Sequence, residues 1–218
     1  MDYQNLILTT KSVREYKKDS IDSQTLKAIK DYALTCPKID DSIAFEVRIL
    51  SNSDAFLTLD GIAGYQGNMI DAPHYILILS EKKDYYIENA AYIGQSMILK
   101  ALDMGISSCW ISFRSNIKER LNLLSDKEVV ALIALGYDAN APKKGAAVSL
   151  ADYKLGLDEI VYIDKWGHGA DASILEERGL LEAFMFSKLA PSTLNQQSWR
   201  FLLTGGKVIL AIKKEKNT

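Results

Sequence analysis

Two stretches of the chain gather side chains suited to a charged, polar ligand. In Lys11-Ser12-Val13-Arg14-Glu15-Tyr16 two cations flank a hydroxyl. A phosphate dianion needs such a set, because several cations and N–H or O–H donors must converge to offset its charge. In Ala190-Pro191-Ser192-Thr193-Leu194-Asn195-Gln196-Gln197-Ser198-Trp199-Arg200-Phe201, Pro191 stops a helix and sets φ. Ser192, Thr193 and Asn195 then bring short hydrogen-bonding side chains and backbone N–H groups into one small volume. Each stretch has an ordinary alternative: solvated cations on a chain entering a helix, and a plain helix-to-strand loop.

Other chemistries are poorly served. The two cysteines, Cys36 and Cys109, stand far apart with no CxxC, and two histidines, His74 and His168, supply too few ligands for a His/Cys metal site. Both thiols read as small buried apolar groups and His74 as a structural residue. Gly206-Lys207 suggests a phosphate loop, yet no second glycine stands at the required distance upstream and Val208 replaces the Ser/Thr. With a net charge of −2 and basic residues arranged only as pairs such as Lys17-Lys18, Lys82-Lys83 and Lys143-Lys144, no footprint for nucleic acid is present. The stretch Met1 to Asn5 lacks a basic, then apolar, leader pattern, and no apolar run reaches the length of a membrane span. These features predict a cytoplasmic protein with no nucleic-acid or membrane partner.

Helices and strands must alternate to position the two stretches. Asp22 is a candidate N-cap for a helix with Leu26, Ile29, Ala33 and Leu34 on its apolar face, ending at Cys36-Pro37. Phe45 to Leu50 alternates apolar and charged residues, as a half-buried strand does. Asp60 to Asp71 is rich in glycine and reads as irregular or weakly helical. Ala72 to Ser80 is a near-continuous apolar run, predicting a strand buried on both faces. The longest helical pattern runs from about Tyr86 to Met104, with Ala90, Ile93, Gly94, Met97, Ile98 and Ala101 on one face and Gly105 as its stop. Its small residues allow close approach by another backbone, placing it at the centre of the fold. Strands follow at Ile106 to Phe113 and Glu128 to Tyr137, separated by a short helix capped by Asn116. Beyond Asp152, Ser173 and Glu176 fit a capping box opening one helix that runs to Pro191. Trp199 to Leu203 and Val208 to Ile212 form a hairpin through Thr204-Gly205-Gly206-Lys207.

The composition, 48% hydrophobic and 25% charged, fits one compact unit over 1–218. A weak internal repeat runs through it, with 1–150 as the first copy and 155–218 as a partial second. Leu26-Lys27-Ala28-Ile29 is similar to Leu181-Glu182-Ala183-Phe184, and the interval from Pro37 to Phe45 equals that from Pro191 to Trp199. The first copy's loop, Pro37-Lys38-Ile39-Asp40-Asp41, carries carboxylates where the second has Ser, Thr and Asn.

Four segments together resemble the FMN-dependent nitroreductase superfamily. Lys11 to Tyr16 is similar to that family's N-terminal basic-Ser-x-Arg-x-aromatic motif. Tyr86 to Phe113 resembles its central helix followed by Gly-x-x-x-Cys-Trp-Ile, and Glu128 to Tyr137 its apolar strand ending in Gly-Tyr. Ala190 to Phe201 resembles Ala-Pro-Ser-x-x-Asn-x-Gln-Pro-Trp-x-Phe. The resemblance implies an α+β fold, a nitroreductase-like three-layer sandwich with a mostly antiparallel central sheet flanked by helices. It implies an FMN-dependent NAD(P)H oxidoreductase, in which NADH or NADPH gives hydride to flavin N5 and a small electron-poor acceptor, such as a nitroaromatic or a quinone, takes the electrons in a ping-pong cycle. The alternatives are a flavin-binding or regulatory module without turnover, and a scaffold without flavin.

Carried over residue by residue, the resemblance assigns Lys11, Ser12 and Arg14 to the FMN phosphate and the polar flavin edge, with Lys143 and Lys144 reaching the phosphate. Trp110, Ile111 and Ser112 lie beside the reactive edge, and Pro191, Ser192, Thr193, Asn195 and Gln197 contact the flavin. No catalytic side chain is assigned, because flavin N5 carries the chemistry, and no metal is implied. The family's usual order places the Pro-Ser-x-x-Asn loop after the first helix, where this chain has Cys36-Pro37-Lys38. Ser198 stands in place of the proline after Gln197, and Ser112-Phe113 stand where glycine is common. Family homodimers hold flavin at the subunit interface, so the repeat implies either a homodimer or a monomer acting as a pseudo-dimer.

Overall fold

The computed structural model describes residues 1–65, 67–140 and 154–213. The chain divides into two compact units, Met1–Leu6 with Thr10–Ala146, and Ile7–Thr9 with Ala147–Thr218.

A short helix α1 (Tyr3–Thr9) comes first in the chain, and in the first unit α2 (Ser23–Thr35) starts where Asp22 accepts a hydrogen bond from the Thr25 N–H. Strand β1 (Phe45–Ser51) leads straight into α3 (Asn52–Leu59), whose start is held by a reciprocal box between Ser51 and Asp54. Then come β2 (Ala63–Gly64), β3 (His74–Ser80), α4 (Tyr86–Asp103), β4 (Ser107–Phe113), α5 (Ile117–Arg120) and β5 (Glu128–Gly136). The strands form one sheet in the order β1-β3-β5-β4-β2, with each neighbouring pair antiparallel.

Strand periodicity divides the apolar residues between two cores. From β3, Tyr75, Leu77 and Leu79 join one core, with Ala55 and Leu59 of α3 and Ile117 of α5. Ile76 and Ile78, which point the other way, join Ile29 and Ala33 of α2 and Ala90, Ile93, Met97 and Ala101 of α4. Helices thus cover both faces of the sheet, which explains why β3 carries an unbroken apolar run. This is the three-layer α+β architecture the sequence predicts.

The second unit contains α6 (Leu157–Ile160), β6 (Val161–Ile163), α7 (Ala172–Glu177), α8 (Leu181–Ser187), β7 (Trp199–Thr204) and β8 (Lys207–Ile212). Its sheet runs β6-β7-β8, parallel at the first pairing and antiparallel at the second. Ile160, Val161, Leu175, Phe184 and Leu203 fill its core. Two local expectations fail here. The single helix expected to run to Pro191 is two, interrupted at Arg178–Leu180, and the N-cap of α7 is Asp171, which accepts the Ser173 N–H at 3.0 Å. A carboxylate two residues upstream of Ser173 is the stronger acceptor for the unpaired first-turn donors.

Candidate functional site

The basic segment is stitched across one end of the first unit's sheet, where β4 starts and β5 finishes. Ser12 bridges to Ser108 in parallel, with the Val13 N–H on the Ser108 carbonyl at 3.0 Å. Tyr16 bridges to Asp138, and the Lys17 N–H donates to the Tyr137 carbonyl at 2.8 Å. Val13 and Tyr16 are buried in the core, while Ser12, Arg14 and Glu15 are exposed.

Lys11 does not keep its charge to itself. Its Nζ lies 2.6 Å from Oδ2 of Asp138, whose side chain is only 8% exposed. Burial works against the Asp138 carboxylate, but the bond from Lys11 and the Asn140 N–H at 2.8 Å outweigh it and hold the carboxyl below its usual range. Arg14, by contrast, makes no ion pair among the described residues, and its guanidinium carbon sits 5.1 Å from the centroid of the Tyr65 ring. Behind it Cys109 is buried, which pushes its thiol up, while the nearby Arg14 charge and a bond with Ser12 act in the opposite sense.

The residues of β4 spend their side chains on the fold. The Trp110 indole donates to Gln95 Oε1 at 3.2 Å and lies across Gly94 of α4, where an added Cβ would meet its Cη2 at 2.6 Å. Ile111 is buried in the opposite core, and the Ser112 hydroxyl donates to the Gly64 carbonyl at 2.9 Å.

In the second unit, the Pro191 to Gln197 stretch closes upon itself. A 3-10 turn spans Thr193–Asn195, and Leu194, Asn195 and Gln197 all take positive φ. Ser192 Oγ accepts the Gln197 N–H at 3.0 Å, and the Gln197 amide accepts the Leu155 N–H and donates to the Asn195 carbonyl. Lys154 reaches the Ala190 carbonyl at 2.9 Å and Asn195 Oδ1 at 3.2 Å, with its Nζ 5.9 Å from the Trp199 ring centroid. Burial lowers the Lys154 pKa. Pro191 and Thr193 are exposed.

The first unit therefore brings together Lys11, Ser12, Arg14, Trp110, Ile111 and Ser112 around β4. The second holds Pro191, Ser192, Thr193, Asn195 and Gln197 in one loop, and Lys143 and Lys144 lie outside the described residues. Sequence reasoning missed Asp138, Tyr65 and Lys154. Asp138 directly follows the Gly-Tyr end of β5, which was a usable signal. Tyr65 sits in a glycine-rich stretch and becomes visible only when β2 pairs with β4. Among the described residues no cluster of His, Cys, Asp or Glu could hold a metal ion, and no helix is long and apolar enough to cross a membrane.

The chain belongs to the family described as "Putative TM nitroreductase", whose model matches residues 3–218. Its fold is shared with solved nitroreductase-family structures. One from Clostridium novyi NT is 26% identical, covering 78% of this chain and 97% of its own, with a TM-score of 0.57. An FMN-dependent nitroreductase from Clostridium difficile R20291 is 23% identical over 67% of this chain and 92% of its own, TM-score 0.57. A "putative nitroreductase" from Thermotoga maritima MSB8, 17% identical, covers 97% of this chain and 76% of its own, TM-score 0.62. No curated protein matches the chain.

Proposed function

We propose that the chain is an FMN-dependent NAD(P)H oxidoreductase. Family membership supports a flavin oxidoreductase in general, and one observation in the first unit carries the finer reading. Ser12 and Arg14 face outward from a segment pinned to the sheet, and Arg14 has no carboxylate partner among the described residues. A guanidinium with no counter-ion, next to an exposed hydroxyl, is a donor set that fits a phosphomonoester. Lys11 fits less well, because Asp138 already neutralises it. Its work is to hold the segment, while Lys143 and Lys144 are proposed to add the remaining positive charge.

When bound, FMN would supply the hydride-accepting and hydride-donating centre, taking hydride from NADH or NADPH and passing it to a small electron-poor acceptor. The chain's own residues bind and orient. With the side chains of Trp110, Ile111 and Ser112 committed to packing, their proposed contribution is the backbone along β4, rigidly placed beside the flavin's reactive edge. Pro191, Ser192, Thr193, Asn195 and Gln197 are proposed as the second contributor, their internal bonds fixing the loop before a ligand arrives. On this reading the chain acts either as a homodimer or as a monomeric pseudo-dimer.

Titration of the apoprotein with FMN tests this directly. Arg14→Ala should weaken FMN at least tenfold, the order expected for loss of a charge-assisted contact to phosphate. Asn195→Ala should also weaken it, and Asp41→Ala should not. Wild-type affinity in Asn195→Ala would confine the C-terminal loop to a structural role. FMN retained but reduced by neither nucleotide would favour the non-catalytic flavin module.

A further inference from the structure

Tyr65 is tied into the same frame as Arg14, and no feature of its sequence neighbourhood singles it out. Strand β4 carries both: at Ser108 it holds the Val13 N–H one residue before Arg14, and at Ser112 it pairs with Gly64 one residue before Tyr65. The Ser112 hydroxyl adds a bond to the Gly64 carbonyl. Beyond Gly64, Tyr65 and Asn68 exchange two backbone hydrogen bonds, of 2.9 and 3.1 Å, closing a tight hairpin. Gly64 permits that closure, since φ is +121° and a Cβ would stand 1.9 Å from the Asn68 carbonyl oxygen. The Tyr65 ring, 45% exposed, thus faces a guanidinium mounted four residues away along one strand.

Arginine has many rotamers, and an exposed one with no ion pair loses much of that freedom when it captures an anion. A ring held against the guanidinium removes part of that loss before binding, and one contact of this kind leaves most of the five N–H donors of the group for an anion. We propose that Tyr65 is a positioning residue that holds Arg14 ready for a phosphomonoester and so sets the chain's preference for FMN over riboflavin. The proposal rests on the flavin reading above and deepens it.

The test compares wild type, Tyr65→Phe, Tyr65→Leu, Arg14→Ala and the Arg14→Ala/Tyr65→Leu double variant, each titrated with FMN, riboflavin and inorganic phosphate. The Arg14 side-chain Nε–Hε NMR signal is followed as well. Tyr65→Leu is expected to weaken FMN about threefold to fivefold, the scale of one partly exposed cation–π contact. Riboflavin affinity should stay the same, Tyr65→Phe should restore the wild-type value, and Tyr65→Leu should have no further effect once Arg14 is alanine. The ring shift on Arg14 Hε should vanish in Tyr65→Leu and persist in Tyr65→Phe. Equal loss of FMN and riboflavin in Tyr65→Leu, or an unchanged FMN affinity, overturns the proposal while the flavin reading stands. If wild type binds no flavin but phosphate binding still depends on Tyr65, the flavin reading falls and the anion role of the pair survives. Binding of neither flavin nor phosphate overturns both.

Discussion

Tyr16 and Tyr75 are two phenols of one core, and only Tyr75 uses its hydroxyl. The Tyr75 OH donates to the Ile70 carbonyl at 2.7 Å and accepts the Ala72 N–H at 3.1 Å, whereas the Tyr16 OH is buried with no partner among the described residues. Burial raises the pKa of both, that of Tyr75 to about 12, so both are neutral across the physiological range. Deleting a satisfied hydroxyl strands its partners, while deleting an orphan removes a penalty. Thermal unfolding of Tyr75→Phe should therefore show a loss of about 1–3 kcal/mol, and Tyr16→Phe no loss or a small gain. The Lys11–Asp138 pair has a pH signature. A carboxyl more acidic folded than unfolded stabilises the fold above its ordinary pKa of 3.8, and that contribution disappears as pH falls through the depressed folded value. Asp138→Asn should thus be less stable than wild type at pH 7, with the gap closing below about pH 4. A gap that does not change as pH falls below about 4 would rule out an electrostatic origin.

Trp110 and Gly94 show how an element is set by a partner far along the chain. An Ala at position 94 would favour the helix by about 1 kcal/mol in isolation, but its Cβ would collide with the Trp110 ring, whose indole is anchored to Gln95. Overpacking of this kind costs about 1–3 kcal/mol, so Gly94→Ala should be destabilised overall and should shift the Trp110 emission. Unchanged stability and emission would contradict the packing. The sequence pointed to close approach through the small residues of α4, and the apolar runs of β3 and β5 were plain because each faces a core on both sides. Elements built on polar or short signals were harder to read. The capping box at Ser51 and Asp54 opens α3 with no break after β1, and β2 has only two residues and exists through its pairing with β4. Of the site, Ser12 and Arg14 could be read from residue type, a hydroxyl and a cation within one short segment. That Lys11 is neutralised could not, since Asp138 meets it only across the folded sheet. Likewise, the Ser, Asn and Gln side chains that suggested a ligand loop are the same ones that bond that loop internally.

The two units have separate cores; Trp110 packs against one core of the first unit, while Trp166 and Trp199 belong to the chain of the second. Variants retaining only Trp110 or only Trp199 should therefore report different denaturant midpoints, and coincident transitions would show that the chain unfolds as one. The Thermotoga structure is matched over almost all of this chain, while the smaller clostridial structures are matched over most of their own lengths. That pattern fits a nitroreductase body carrying an additional unit. The most direct measurement is anaerobic titration of FMN-reconstituted protein with NADH and NADPH, with flavin quantified per chain. The account predicts yellow protein with one FMN per chain, bleached by at least one of the two nucleotides and recoloured by a quinone or nitroaromatic. A colourless chain that fails to take up added FMN would contradict it.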